Sequence, residues 1–280
     1  MTKLGYQIPN FTYPGVAADQ IFDNLVTQAK TAEAAGFDRI FLMDHFYQLP
    51  GIGDPDDYML ECYTTLAALA QHTDKVRLSA LVTGNTYRNP AVLAKIITAL
   101  DHVSHGRASL GIGSGWFELE HDAYGIPFNT FSERFEKLEE ALNIILPMLR
   151  GERPTLHGEH YHVTEAINSP APVSKIPVMI GGNGEKKTLR MVAQYALLYG
   201  VYMVAMIIAG FGMYFGLFAG SDDFALTILP AMFGMAVLTV ALGFTLIPGQ
   251  IDRRLALAGG SSRARSGLGP QRRSTRAPGR

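Results

Sequence analysis

Arg107-Ala-Ser-Leu-Gly-Ile-Gly-Ser-Gly-Trp-Phe-Glu-Leu-Glu-His121 is the stretch on which the fold turns. Up to Ile112 it is a short apolar run of the kind that forms a buried strand, and beyond that it becomes polar and glycine-rich. Gly111, Gly113 and Gly115 imitate a dinucleotide fingerprint, yet the motif's third glycine falls at Trp116 and no helix is expected to begin there. Alternate glycines at a strand end still let a flat ligand or a phosphate approach the backbone.

Outward from this stretch the same alternation recurs. Leu4–Ile8, Arg39–Met43, Val76–Val82 and Pro177–Ile180 read as strands, and Asp19–Ala35, Leu60–His72, Pro90–Val103, Ser132–Leu149 and Glu185–Tyr195 as helices. Gly36 stops the first helix, and Pro90 opens the third, where a missing N–H costs nothing. Ser132 is expected to cap the fourth, with Glu133 and Glu136 in its first turns. Thr155–Val163 reads as a small hairpin inserted in a loop.

Five strand-then-helix units in order imply a parallel sheet with helical crossovers, either doubly wound or part of a (β/α)8 barrel. Nearly every strand ends in a polar or glycine cluster: Pro9-Asn10, Asp44-His45, Thr83-Gly84-Asn85, Gly113-Ser114-Gly115 and Gly181-Gly182-Asn183-Gly184. A barrel assembles its site from all the strand ends, whereas a doubly wound sheet concentrates binding at one switch point, so the barrel is expected.

The charge distribution divides the chain. Residues 1–195 carry 16 basic and 22 acidic side chains, residues 196–249 carry only Asp222 and Asp223, and residues 250–280 carry eight arginines against Asp252. The net charge of -1 therefore describes no part of the molecule. The acidic first part argues against a nucleic-acid surface, which needs clustered Lys and Arg. With Cys62 alone, no intramolecular disulfide or cysteine zinc site can form, and the composition suits a reducing compartment. Residues 1–10 lack a signal peptide's basic start and apolar run. The charge-free stretches 196–220 and 224–249 are each long enough to cross a bilayer core of about 30 Å. They are expected to form a transmembrane hairpin, with the first 195 residues and a disordered, arginine-rich tail both cytoplasmic.

Asp44-His45 falls at the second strand's end, at the mouth of a barrel. An imidazole there can take or give a proton near neutral pH, and the adjacent carboxylate can hold its orientation. Asp44 capping a loop, with His45 packed on Phe46 and Tyr47, is the structural alternative. Gly181–Gly184 precedes a helix whose free N–H groups would receive an anion. His157, His160 and His162 suggest a cluster, with His160 and His162 on one face, but no carboxylate at useful spacing completes a metal site. Glu120-His121 could line the mouth or begin a loop.

Thr86-Tyr-Arg-Asn-Pro90, Gly111–His121, Ala123-Tyr-Gly125, Glu133-Arg-Phe135 and Ile180–Glu185 together resemble the luciferase-like monooxygenase family, in its deazaflavin (coenzyme F420)-dependent oxidoreductase branch. The resemblance covers about residues 1–195 and implies a (β/α)8 barrel holding F420 or FMN at the strand C-terminal ends. It places Asp44 and His45 near the ring as catalytic residues. It also gives Ala80-Leu81 as the bulge behind the ring, often with a cis non-proline peptide. Thr83, Gly113, Ser114, Gly115, Gly181, Gly182, Asn183 and Gly184 are then the cofactor-contacting positions. Trp116 stands where the family's sugar-phosphate dehydrogenases carry a glutamate, so the substrate is expected to differ. Strands six to eight have no counterpart after Ala196. The expected function is hydride transfer or flavin monooxygenation on a small organic substrate, the alternative a catalytically inactive, membrane-anchored remnant. Partners are then that substrate, a bilayer along residues 196–249 and, as one assembly, a homodimer.

Overall fold

The computed structural model describes residues 3–182 and 187–195. Its elements begin with β1 (Gly5–Ile8), α1 (Ile21–Ala34), β2 (Arg39–Leu42), α2 (Cys62–Leu69), β3 (Arg77–Ala80), β4 (Thr83–Gly84), α3 (Pro90–Val103) and β5 (Leu110–Gly113). They continue with α4 (Glu118–Tyr124), α5 (Phe131–Leu149), the hairpin β6 (Leu156–His157) and β7 (His162–Val163), β8 (Val178–Gly181) and α6 (Lys187–Tyr195).

Outside the hairpin, every ladder is parallel and follows chain order. β1 pairs with β2, β2 with β3, β4 with β5, and β5 with β8. A bridge between Leu78 and Ala108 joins the two groups, reinforced by Leu78 N–H donating to the Arg107 carbonyl at 3.0 Å and Ser109 N–H to the Leu78 carbonyl at 2.9 Å. A doubly wound sheet reverses direction about an early strand, and this one never does, so it is an arc of a barrel.

Strand parity explains where the core lies. Ile8, Ile40, Leu42, Leu78, Leu110, Ile112, Val178 and Ile180 pack in one cluster with Leu25, Leu66, Ile97, Leu142 and Ile145 of the helices. The alternate residues, among them Gly5, Gln7, Ser79, Gly111, Gly113 and Gly181, therefore face the other side of the pleat. Apolar bulk binds the helices to the outside of the arc, and the inside mixes small and polar groups with the buried side chains of Phe41 and Met179, which lie against Gly5 and Gly111.

The sequence expectation of one strand over Val76–Val82 is corrected here. β3 stops at Ala80, the Leu81–Val82 peptide is cis, and β4 resumes at Thr83. Val82 occupies the space that three inner-face glycines leave: a Cβ on Gly111, Gly113 or Gly181 would lie 3.2, 3.0 or 2.7 Å from its methyl groups. The cap of α5 is Thr130, not Ser132. Its hydroxyl accepts from Glu133 N–H at 3.3 Å while Glu133 accepts from Thr130 N–H at 2.8 Å, a reciprocal pair that starts the helix at Phe131. A helix does begin just after Trp116, at Glu118, where none was expected. In the hairpin His157 and His162 face each other, with ring centroids 6.2 Å apart, while His160 turns toward Glu136 at 3.5 Å. Among the described residues no helix is long and apolar enough to cross a membrane. The charge-free stretches 196–220 and 224–249 and the arginine-rich tail lie outside the described residues, as do Asn183 and Gly184.

Leu142 on α5 is fully buried in the shared core, whereas Val92 on α3 is 53% exposed. Leu142→Ala is expected to destabilise the fold by about 2–5 kcal/mol, through lost transfer energy and a residual cavity. Val92→Ala should change it by less than about 0.5 kcal/mol. Urea denaturation of the two variants checks this, the first shifting the midpoint at unchanged slope.

Candidate active site

Three segments meet beyond the strand C-terminal ends: the loop after β2, the loop after β4, and α4 after β5. Asp44 and His45 leave β2 together, but adjacent side chains point in different directions, and here they find different partners. Asp44 is buried and takes a bidentate pair from Arg88, Nη1 to Oδ2 at 2.7 Å and Nη2 to Oδ1 at 2.9 Å. Arg88 also reaches Glu61 at 2.8 Å and lies over the Tyr63 ring, 4.9 Å from its centroid. Burial pushes the Asp44 carboxyl up, with the Arg88 charge pulling against it. Burial likewise works against the Arg88 charge, yet Asp44 holds its guanidinium above the usual range. The bidentate geometry makes this an ion pair with both oxygens occupied.

His45 is held instead by Glu120. Its Nδ1 lies 2.9 Å from Glu120 Oε2, and Nε2 has no hydrogen-bond partner among the described residues. The imidazole stands edge-on to Trp116 and Phe117, at centroid distances of 5.9 and 5.8 Å, not against Phe46 and Tyr47. Trp116 is 60% exposed, so an aromatic wall beside the histidine is open to the outside.

Glu120 itself is sealed from solvent, and an isolated buried carboxylate is costly. Four donors offset that cost: His45 Nδ1 and the Tyr87 hydroxyl on Oε2, and the amide N–H groups of Phe46 and Tyr47 on Oε1. Burial opposes its charge, but His45, Tyr87 and the Tyr47 amide together hold its carboxyl below the usual range. Next to it, His121 is also buried, with Nδ1 2.7 Å from the Phe117 carbonyl and Nε2 2.7 Å from Thr86 Oγ1. One short helix thus ties the His45 loop through Glu120 and the Thr86-Tyr87-Arg88 loop through His121.

Of the expected cofactor positions, Gly113 and Gly181 face the inner side of the strand ends, whereas Ala80 packs in the outer core with Leu78, and Thr83, level with Ile112, turns to the helices. Ala80 closes β3, and Leu81 N–H donates to the Leu42 carbonyl at 2.8 Å. Thr83 is buried with its hydroxyl against that of Tyr63. Gly113 and Gly181 end their strands beneath Val82. Ser114 is half-buried, Gly115 takes φ +80° with its carbonyl accepting from Arg134 at 3.2 Å, and Gly182 is exposed. A flat ring fits these residues, with Val82 on its glycine floor as an apolar platform and Asn85 Oδ1 a buried acceptor without a partner among the described residues. The sequence names neither Arg88 nor Tyr87 as a site member and leaves Glu120 open between the mouth and a loop, although all three lie within the quoted family motifs.

A parallel barrel arc with a histidine and an apolar platform at its strand C-terminal ends is the arrangement on which barrel enzymes build their sites. The profile of the luciferase-like monooxygenase family matches residues 2–207, and the chain belongs to that family. The match runs past residue 195, into the first charge-free stretch. An F420-dependent glucose-6-phosphate dehydrogenase of Intrasporangium calvum is 34% identical over 175 residues, 61% of this chain and 50% of the relative. The same-named protein of Amycolatopsis mediterranei is 30% identical over 198 residues, 70% of this chain and 55% of the relative. The chain thus spans about half the length of the curated relatives it matches. Among solved structures, an F420-dependent secondary alcohol dehydrogenase with an F420–acetone adduct superposes with a TM-score of 0.60 at 22% identity, covering 71% of this chain and 57% of the other. The oxygenating constituent of 3,6-diketocamphane monooxygenase from Pseudomonas putida, in complex with FMN, gives 0.56 at 20% identity, covering 68% and 54%. Both share the fold.

Removing Arg88 leaves a buried carboxylate unpaired, so Arg88→Met is expected to cost about 3–5 kcal/mol, with part recovered on adding Asp44→Asn. A double-mutant cycle by urea denaturation measures both. The Glu120 carboxyl is lower in the folded chain than its unfolded value of about 4.3. Its ionisation therefore stabilises the fold fully above that value, and the contribution disappears as pH falls through the lower folded value. Stability of wild type and Glu120→Gln should differ most at neutral pH and converge below about pH 4, as thermal melts across pH would show.

Proposed function

We propose that the chain is an oxidoreductase that carries F420 or FMN on the inner side of its strand ends and uses His45 to handle a proton of a small organic substrate. The observation that carries this reading is the histidine's asymmetry: Nδ1 is anchored on buried Glu120, and Nε2 is left without a partner among the described residues beside an exposed Trp116. F420 is the first candidate, because curated relatives named for it share 30–34% identity over about half their length. FMN is the second, supported by a shared fold.

When bound, such a ring supplies hydride transfer, or oxygen activation in the FMN case. The chain's own residues do the rest. Val82, seated on Gly111, Gly113 and Gly181, would back the ring, with Leu81, Ser114, Gly115 and Gly182 lining its approach, while Ala80 and Thr83 fix the strand ends from the helix side. Asp44, fixed by Arg88, holds the turn that presents His45. As hydride leaves a substrate carbon, His45 Nε2 takes the hydroxyl proton, and Glu120 stabilises the resulting imidazolium. Trp116 and Phe117 form an apolar wall beside the imidazole, which suits an uncharged substrate better than a phosphosugar.

Fluorescence titration of the full chain with F420 and with FMN tests the reading, and saturable binding of at least one is expected. His45→Ala should then lower turnover by about 10²–10⁴-fold while leaving cofactor affinity nearly unchanged. No saturable change with either cofactor would favour the catalytically inactive remnant.

A further inference from the structure

We propose that Glu120 is the positioning residue that sets the tautomer of His45, keeping the ring proton on Nδ1 so that Nε2 is an acceptor. The role given to Nε2 rests on the functional reading above, whereas the tautomer itself does not.

The argument is one of donor inventory. An ionised carboxylate is acceptor-only, with about four lone-pair sites, and Glu120 has four groups around it. Two are backbone N–H groups, of Phe46 and Tyr47, which can only donate and cannot turn away. The other two, the Tyr87 hydroxyl and His45 Nδ1, share Oε2. Facing an oxygen with no proton of its own, Nδ1 must carry one, and in the neutral ring that places the lone pair on Nε2. Asp44, the carboxylate next in sequence, cannot serve, since both its oxygens are held by Arg88. The other groups against the imidazole are the Trp116 and Phe117 rings, which offer no competing acceptor to Nδ1.

The fixed amides also predict what a near-isosteric change does. In Glu120→Gln, Phe46 and Tyr47 N–H retain the side-chain oxygen, which turns the new NH2 toward Tyr87 and His45. The Tyr87 hydroxyl can rotate to accept. His45 Nδ1 can accept only by giving up its proton, so the ring switches to the Nε2–H tautomer.

Nitrogen-15 NMR of the histidine rings in the full chain distinguishes the tautomers without cofactor or turnover, and the cross-peaks missing from His45→Gln assign the residue among eight histidines. In wild-type protein above the ring's titration, Nδ1 is expected to show the protonated shift and Nε2 the unprotonated one. In Glu120→Gln the two should exchange, while Tyr87→Phe, which leaves the carboxylate in place, should keep the wild-type pattern. A wild-type ring protonated on Nε2, a folded Glu120→Gln that retains Nδ1–H, or a switch in Tyr87→Phe would each overturn the proposal. The wild-type and Tyr87→Phe spectra decide the matter even if Glu120→Gln does not fold. In cofactor-loaded enzyme the same variant should lower kcat by about 10²–10⁴-fold at nearly constant KM, the signature of a wrong tautomer. Exchanged tautomers without any turnover in wild type would uphold the positioning role and count against the oxidoreductase reading.

Discussion

A carboxylate with no access to water organises this site. Glu120 is sealed beneath α4, and an ion in that position is tolerable only when its lone pairs are filled. The donors that fill them come from two other stretches of chain, His45 to Tyr47 after β2 and Tyr87 after β4. Neutralising one charge therefore fixes three strand exits relative to one another. The neighbouring pair repeats the device at the other end: Arg88, one residue past Tyr87, returns to Asp44, one residue before His45. The result is a closed circuit of charge-assisted bonds around the histidine, in which each loop is held at two points.

That circuit depends on the strands delivering their ends in chain order. In the arc, β2 lies beside β3 and β4 beside β5, so the three exits are neighbours, and contacts spanning 33 to 75 residues in sequence become local in space. The inner face supports the same arrangement by leaving its strand ends clear, with buried bulk at Phe41 and Met179. Gly111, Gly113 and Gly181 clear a floor from two adjacent strands, and Val82 lies across it. An apolar platform is thus made from a protein side chain seated on glycines, whereas the sequence alone suggested that the glycines themselves would admit a ligand.

Much of this was legible in the residues. Glycine and polar clusters at successive strand ends pointed to a barrel and to the mouth at Asp44-His45, because a parallel sheet places all such clusters on one rim. The pairing was not legible. Adjacency suggested Asp44 as the orienting carboxylate of His45, but consecutive residues leaving a strand diverge, and the true partner is 75 positions away. For Glu120 the sequence left two readings, lining the mouth or beginning a loop, because α4 spans only Glu118–Tyr124, too short for helical periodicity to register. The cap of α5 moved from Ser132 to Thr130 for a similar reason: both are good caps, and only Thr130 has Glu133 three residues on to close the box.

The same geometry separates chemistry from specificity. Everything that grips His45, from Asp44 to His121, lies within the first four strand-and-helix units, so its anchoring draws nothing from the portion of the relatives that this chain does not match. Recognition of a substrate's far end is another matter, because barrels frequently place phosphate sites after the seventh and eighth strands. The cation nearest to His45 within the circuit, Arg88, is spent on Asp44 and Glu61, and the open wall is Trp116. Pulling Arg88 from its bidentate partner would leave Asp44 buried and unpaired, a loss of several kcal/mol. The charge balance at the strand ends therefore keeps Arg88 on Asp44, and Trp116 remains the open face beside His45.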